Sequence, residues 1–247
     1  MWYKDHKAVP FHFYNDNQAW LQMDKYGHAY VAYYESSIGY NSLRWAGLDK
    51  KKALIWGGSL GLLLQTPVEI FDGLYEGYGF SWGDMAANAA GAGLFVGQEL
   101  LWDEQRMRLK FSFQRSDYAD HRSGILGENG LQSLFLDYNG PTYWLSANLA
   151  SLTATDRIPG WFNMALGYSA NGMLGDYTNP EFYRGNRLPE FQRHRQWLLS
   201  PDVDLSKIKT NRVAIKAALK VLNIIKIPAP ALEMNSNDGL KFHWFYF

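Results

Sequence analysis

Three pairs of polar residues sit at helical spacing in the first hundred positions, and they are the best candidates for chemistry in the chain. Asp24 and His28 are four apart with Lys25 beside them, Glu69 and Asp72 are three apart, and Asp84 and Asn88 are four apart. Residues three or four apart share one face of a helix, so each pair projects from one element toward a common neighbour. An aspartate beside a histidine can orient the imidazole while a second carboxylate activates water, which is acid/base chemistry. His28 with Glu69, Asp72 or Asp84 could instead ligate a divalent cation, and the sequence names neither a metal nor a cofactor. The competing reading is a brace. Polar groups buried between helices must bond one another, because an unpaired one is costly there. No HExxH signature is present to favour catalysis.

The other candidates are weaker. His6, His12, His121, His194 and His243 are scattered without ligand spacing. Asp202 and Asp204 could hold Ca²⁺ but read better as the solvated face of a strand. Gly91-Ala92-Gly93 lacks the strand–loop–helix context of a nucleotide site and suits helix packing. Arg193, His194 and Arg195 make a short basic spot on the surface.

The elements that must carry the three pairs are helices. Asn15-Asp16-Asn17 offers capping chemistry before an apolar-periodic stretch from Trp20 onward, which Gly47-Leu48-Asp49 breaks. A second helix is expected over Lys52 to Leu64, with Pro67 near its end or at a kink. A glycine- and aromatic-rich loop follows from Gly73 to Gly83, then a third helix capped by Ser81 or Asp84 and running to Trp102. Ala53 to Val68 and Met85 to Gln98 contain no charge, yet both fall short of the roughly 20 apolar residues a spanning helix needs. Gly57 with Gly61, Ala89 with Gly93, and Gly93 with Gly97 give small-xxx-small spacing, which lets helix backbones approach closely.

After residue 106 the period changes from helical to two. Phe162, Met164 and Leu166 alternate with small or polar residues. Trp197, Leu199, Val203 and Leu205 oppose Gln196, Ser200, Asp202, Asp204 and Ser206. Leu109, Phe111 and Phe113 oppose Arg108, Lys110, Ser112 and Gln114. Further strands are expected at Gln132–Asp137, Tyr143–Leu152 and Leu240–Phe247. A turn at Asp137-Tyr138-Asn139-Gly140-Pro141 would join two of them, and a helix intrudes near 212–226. One-sided strands arise in a soluble sheet packed on helices or in an outer-membrane barrel with its large side chains toward lipid.

Composition narrows the class. Lys plus Arg equals Asp plus Glu at 24 each, so no basic footprint for nucleic acid exists. Aromatics make up 16% of residues, an excess suited to membrane interfaces or ligand-lined sheets. There is no cysteine, which removes disulfides, thiolate metal sites and an acylated N-terminal Cys. No apolar export segment stands at the start of the sequence, so either the protein is not exported or a targeting segment is expected upstream.

The run from Phe13 to Asn17, followed by Trp20-Leu21-Gln22-Met23-Asp24-Lys25-Tyr26-Gly27-His28, resembles the opening of the YfiM-like family of bacterial envelope proteins. Glu69-Ile70-Phe71-Asp72-Gly73, Gly79 to Asn88, and Asp137 to Ser146 are similar to later motifs of long, Bacteroidota-type members. These proteins are described as predicted periplasmic lipoproteins. The resemblance implies an envelope location and no activity, and the missing lipobox cysteine departs from the family description.

The sequence thus predicts an α+β chain: a helical module over 1–106 with small-residue packing, then an antiparallel β meander over 107–247, with a small outer-membrane barrel as its other form. The leading functional expectation is a non-enzymatic structural or assembly component of the outer membrane or periplasm. Its partners would be membrane lipid or other envelope proteins, within a multi-subunit envelope complex. The rival is a membrane-associated hydrolase acting on envelope lipid or glycan through Asp24 and His28, with Glu69, Asp72, Asp84 and Asn88 nearby. A soluble sheet that binds a ligand in an apolar pocket is a third reading.

Overall fold

The computed structural model describes Tyr3 and residues 6–247. Two compact units divide the chain, Met1–Gln105 and Arg106–Phe247.

The first unit is helical. Helix α1 (Met23–Trp45) is followed by α2 (Lys50–Trp56), α3 (Leu60–Asp72) and α4 (Trp82–Trp102). The first helix begins at Met23 and not at Trp20. The chain turns left-handed through Trp20, Leu21 and Gln22, a conformation that costs an L-residue roughly 1–2 kcal/mol. The expected second helix is two helices, parted at Gly57-Gly58-Ser59, and Pro67 lies inside α3. The Gly47–Asp49 break stands as expected; Asp49 caps α2 by accepting the amide of Lys52, and Ser81 caps α4 by accepting that of Asp84.

Glycines bring α1 against its neighbours. A Cβ on Gly61 would lie 2.2 Å from the carbonyl of Ala32, and one on Gly91 would lie 2.0 Å from that of Ala29. The Gly57/Gly61 spacing therefore marks a real contact. The Ala89–Gly93–Gly97 spacing does not, because Gly93 and Gly97 face open space and Gly91 makes the approach instead. What these helices turn outward is apolar: Ile38, Trp45, Trp56, Leu63, Phe71, Trp82 and Leu101 are all exposed. By length and composition, the run Lys50–Asp72 is apolar enough to cross a membrane.

The second unit is a six-stranded antiparallel sheet in the order β1-β2-β3-β6-β7-β8, with a small β4-β5 hairpin apart from it. The strands are β1 (Met107–Phe113), β2 (Pro141–Asn148), β3 (Phe162–Asn171), β4 (Phe182–Tyr183), β5 (Asn186–Arg187), β6 (His194–Val203), β7 (Ala229–Asn235) and β8 (Gly239–Tyr246). Short helices α5–α7 (Tyr118–His121, Ser123–Leu126, Gly130–Leu136) and α8 (Leu149–Thr153) fill the connections, and α9 (Val213–Leu222) is the expected intruding helix. Two strand assignments need correction. Gln132–Asp137 is helical, because Asn129 caps α7 through the Gln132 amide. The strand expected through Leu152 stops at Asn148, whose side chain caps α8. The Asp137–Gly140 turn consequently joins a helix to β2. Strand β7, for which no strand was expected, lies between β6 and β8.

The sheet curls. Thr142 and Trp144 of β2 touch Tyr246 of β8, the rings 5.9 Å apart, although the two strands stand four places apart, roughly 19 Å in a flat sheet. Among the described residues no strand closes it into a barrel, but the backbone of Ile224 and Lys226 hydrogen-bonds Phe111 on the outer edge of β1.

Polarity across the curled sheet is inverted. The enclosed face carries Lys110, Ser112, Ser146, Asn163, Ser200, Asp202 and Glu233, with a small apolar patch of Trp144, Ala165, Leu198 and Ala231. The outward face carries Leu166 (60% exposed), Trp197, Leu199, Met234, Phe242 and Trp244 (75% exposed). A soluble sheet would bury the second set and expose the first. Asp202 and Asp204, expected on a solvated face, are both buried.

Candidate functional site

The three sequence pairs converge. Asp24 and His28 lie in the first turns of α1, Glu69 and Asp72 at the end of α3, and Asp84 and Asn88 at the start of α4. The close α1–α3 and α1–α4 approaches through glycine bring these helices together, and the Ser81 cap fixes where α4 begins.

Lys25 is the local hub. Its Nζ lies 2.7 Å from Asp16, 2.7 Å from Asp84 and 3.3 Å from Asp24. His28 stands among the remaining acids. Its Nε2 is 3.6 Å from Asp84 Oδ1 and 3.8 Å from Asp24 Oδ1, while Nδ1 is 3.7 Å from Glu69 Oε1. Nδ1 also lies 3.2 Å from Asn88 Oδ1. A carbonyl oxygen only accepts, so Nδ1 carries the proton and the Nε2 lone pair of a neutral ring aims at the two aspartates.

Among the described residues, three buried atoms of the cluster have no hydrogen-bond partner, Asp84 Oδ1 being one although Lys25 Nζ lies 2.7 Å from it. Glu69 Oε2 accepts from the Ser81 amide at 3.3 Å, but Oε1 has no donor on a residue that is 1% exposed. The Nδ2 of fully buried Asn88 also lacks an acceptor. Asp72 accepts the Tyr3 hydroxyl at 2.5 Å, and Asp16 accepts that of Ser81 at 2.5 Å. Tyr3 and Asp16 are members that sequence reasoning missed: Asp16 had been read as capping chemistry, and nothing in the spacing ties Tyr3 to residues 69 positions away.

Burial and neighbours divide the proton affinities. Burial alone would lower the Lys25 ammonium, but Asp24, Asp16 and Asp84 outweigh it and raise the group. His28 is likewise lowered by burial and raised overall by Asp24, Asp84 and Glu69. Burial raises Asp16, yet the bonds from Lys25 and Ser81 leave it below the ordinary carboxylate value. Asp84 is pushed up to about 8 by burial and by the charge of Asp24, against the pull of His28 and Lys25. One ammonium cannot satisfy every carboxylate around it. The group offers acid/base chemistry and, through Asp24, His28 and Asp84, whose donor atoms all lie within 4.8 Å of one another, a place for a metal ion.

The sheet unit holds a second polar centre that the sequence did not signal. Glu233 accepts from Gln196 at 2.7 Å and Asn235 at 2.6 Å, and pairs with His243 Nε2 at 2.6 Å. In sequence His243 is one of the histidines without ligand spacing. The two meet because β7 and β8 are adjacent, with Ala231 opposite His243 and Glu233 opposite Lys241. They line a cavity of about 530 Å³ with Arg115, His121, His194 and Lys241. Lower in the enclosure, Lys110 Nζ lies 2.8 Å from Asp202, and Lys226 lies over the Trp144 ring at 5.1 Å.

Residues 12–98 match the model of a family described as predicted periplasmic lipoprotein (DUF2279). The matched stretch contains every member of the helical cluster except Tyr3, and it ends before the sheet. This likeness supports a place in the cell envelope. No curated protein and no solved structure matches the chain. None of the 247 residues is a cysteine, so a thioether-linked lipid has no attachment point among them.

Proposed function

We propose that this protein is a non-enzymatic component of the bacterial outer membrane, structural or assembly-related, with the outward face of its sheet against lipid. One observation carries the reading: the enclosed face of the sheet is polar and charged while the outward face is apolar. Burying charge and exposing Leu, Met, Phe and Trp is unfavourable in water and favourable where the surrounding solvent is hydrocarbon. The match to an envelope family agrees with that location, and we read the YfiM-like motifs as those of a long, Bacteroidota-type member. Strand β8 ends the sheet order, and a sheet edge facing lipid has to be covered. A partner strand or subunit would meet that need, which favours a multi-subunit envelope complex.

The test is fractionation with alkaline carbonate and urea, followed by quenching of tryptophan fluorescence by brominated lipid. The protein stays with the membrane, and quenching falls when Trp197 and Trp244 are replaced by Phe. Release into the carbonate supernatant, or quenching indifferent to those two residues, removes the reading.

A second reading, hydrolysis of an envelope lipid or glycan, draws on His28 standing between Asp24, Asp84 and Glu69. His28→Ala and Asp24→Asn in a complementing strain discriminate. Lost function at unchanged abundance and melting temperature favours chemistry, whereas lost protein favours a brace.

A further inference from the structure

We infer that Asp24, His28 and Asp84, with Glu69 behind them, form a binding site for one divalent transition-series cation. The geometry is near what such an ion needs. Ligand atoms about 2.1 Å from a tetrahedral ion stand roughly 3.4 Å apart. His28 Nε2 is already 3.6 and 3.8 Å from the two aspartate oxygens, so small side-chain rotations close the site.

The surroundings prepare it. Asn88 holds the Nδ1 proton, the outer-shell bond that aims a histidine lone pair at a metal. With the ring neutral and both aspartates ionised, that lone pair and two carboxylate oxygens face one another, an arrangement that a proton or a metal cation between them relieves. Glu69 supplies the independent sign: a carboxylate oxygen, buried and without a donor, directed at the same imidazole. Leaving such an atom unpaired is costly, and native proteins seldom do so without a ligand or function in view. Among the described residues, Asp16, Asp24, Glu69, Asp72 and Asp84 stand around two basic groups, Lys25 and His28, so acids outnumber bases by three. Lys25 can stay with Asp16 when Asp84 turns to the ion. Asp24 and His28 are the partly exposed members and give the entry path.

The donor set selects the ion. An imidazole with carboxylates suits Zn²⁺, Mn²⁺ or Fe²⁺, whereas Mg²⁺ and Ca²⁺ prefer oxygen alone. The site does not depend on lipid around the sheet, so it stands or falls separately from the membrane reading.

The experiment uses the full chain in detergent, stripped with a chelator, dialysed, and titrated with Zn²⁺ and Co²⁺ by calorimetry and visible absorption. One equivalent binds with d–d bands characteristic of low coordination, and Mg²⁺ does not compete. His28→Ala abolishes the stoichiometric phase, and Asn88→Ala weakens it by about 10- to 100-fold. Asp24→Asn, at the exposed side and of nearly the same shape, loses affinity as well, and serves if His28→Ala fails to fold. His243→Ala, in the other unit, leaves the titration unchanged. No saturable binding by the parent chain overturns the inference, as does an affinity that survives both His28→Ala and Asp24→Asn, or that is lost with His243.

Discussion

The sheet unit and the helical unit both bury charge, and they resolve it differently. In the sheet, Lys110, Lys226 and Arg108 face Asp202 and Asp204. Lys110 and Ser146 both bind Asp202 Oδ2, at 2.8 and 2.6 Å, and Asn223 donates to Asp204 at 2.9 Å. Glu233 has a donor on each oxygen. In the helices one lysine serves three aspartates, while Glu69 and Asn88 keep unpaired atoms. The first pattern is that of a brace, in which three cations stand against two carboxylates, although Asp202 Oδ1 and Arg108 Nε lack a hydrogen-bond partner. Among the described residues the second sets more acids than bases around one lysine, which a fold tolerates where something else is to bind. The teaching is that burial of acids does not by itself mark a site; an imbalance around them does.

The strongest way to break this contrast is in the sheet. Asp202→Ala leaves Lys110 charged, fully buried and without its counter-ion. Removing one partner of such a pair costs about 3–5 kcal/mol. Urea unfolding of the detergent-solubilised protein measures it, and combining Lys110→Met with Asp202→Leu should recover most of the loss. A cost below about 1 kcal/mol for Asp202→Ala would show that water reaches the interior and that the network is not a closed brace.

The next effect tests whether the helical cluster depends on close backbone approach. Gly91→Ala places a methyl 2.0 Å from the Ala29 carbonyl, and overpacking of this kind costs about 1–3 kcal/mol. Gly93→Ala, two residues along the same helix, meets nothing within 4 Å and should gain roughly 0.5–1 kcal/mol from helix propensity. Opposite shifts in melting temperature support the assigned face of α4. Equal shifts refute it.

Much of this arrangement was legible in the residues, and its gaps have physical causes. The three polar pairs were visible because helical spacing is local, and their convergence followed once α1, α3 and α4 packed. The α+β order and the alternation in β3 and β6 were equally plain, since period two survives in any one-sided sheet. The direction of that sheet was not. Alternation says that Trp197 and Gln196 face opposite ways, and only the curl that brings Tyr246 to Trp144 says which way is in. Asp202 looked solvated for that reason. The Gly93 spacing misled because small residues at every fourth position also occur where a helix is simply exposed. The Glu233–His243 pair was invisible because strand register is set by pairing between segments, and no strand was expected where β7 runs.

The smallest effect separates the two units most sharply, because the same substitution should differ in outcome between them. Glu233→Gln keeps one acceptor oxygen but gives up the charge that holds His243 at 2.6 Å and forces an amide hydrogen among three donors. A loss of about 1–2 kcal/mol is expected. Glu69→Gln keeps an oxygen for the Ser81 amide and removes a buried charge whose other oxygen had no donor. In chelator-treated protein its melting temperature should match or exceed that of the parent, with any change within about 0.5 kcal/mol. If Glu69→Gln proves as costly as Glu233→Gln, the Glu69 carboxylate is tied as firmly as its counterpart, and the helical cluster is a brace of the same kind.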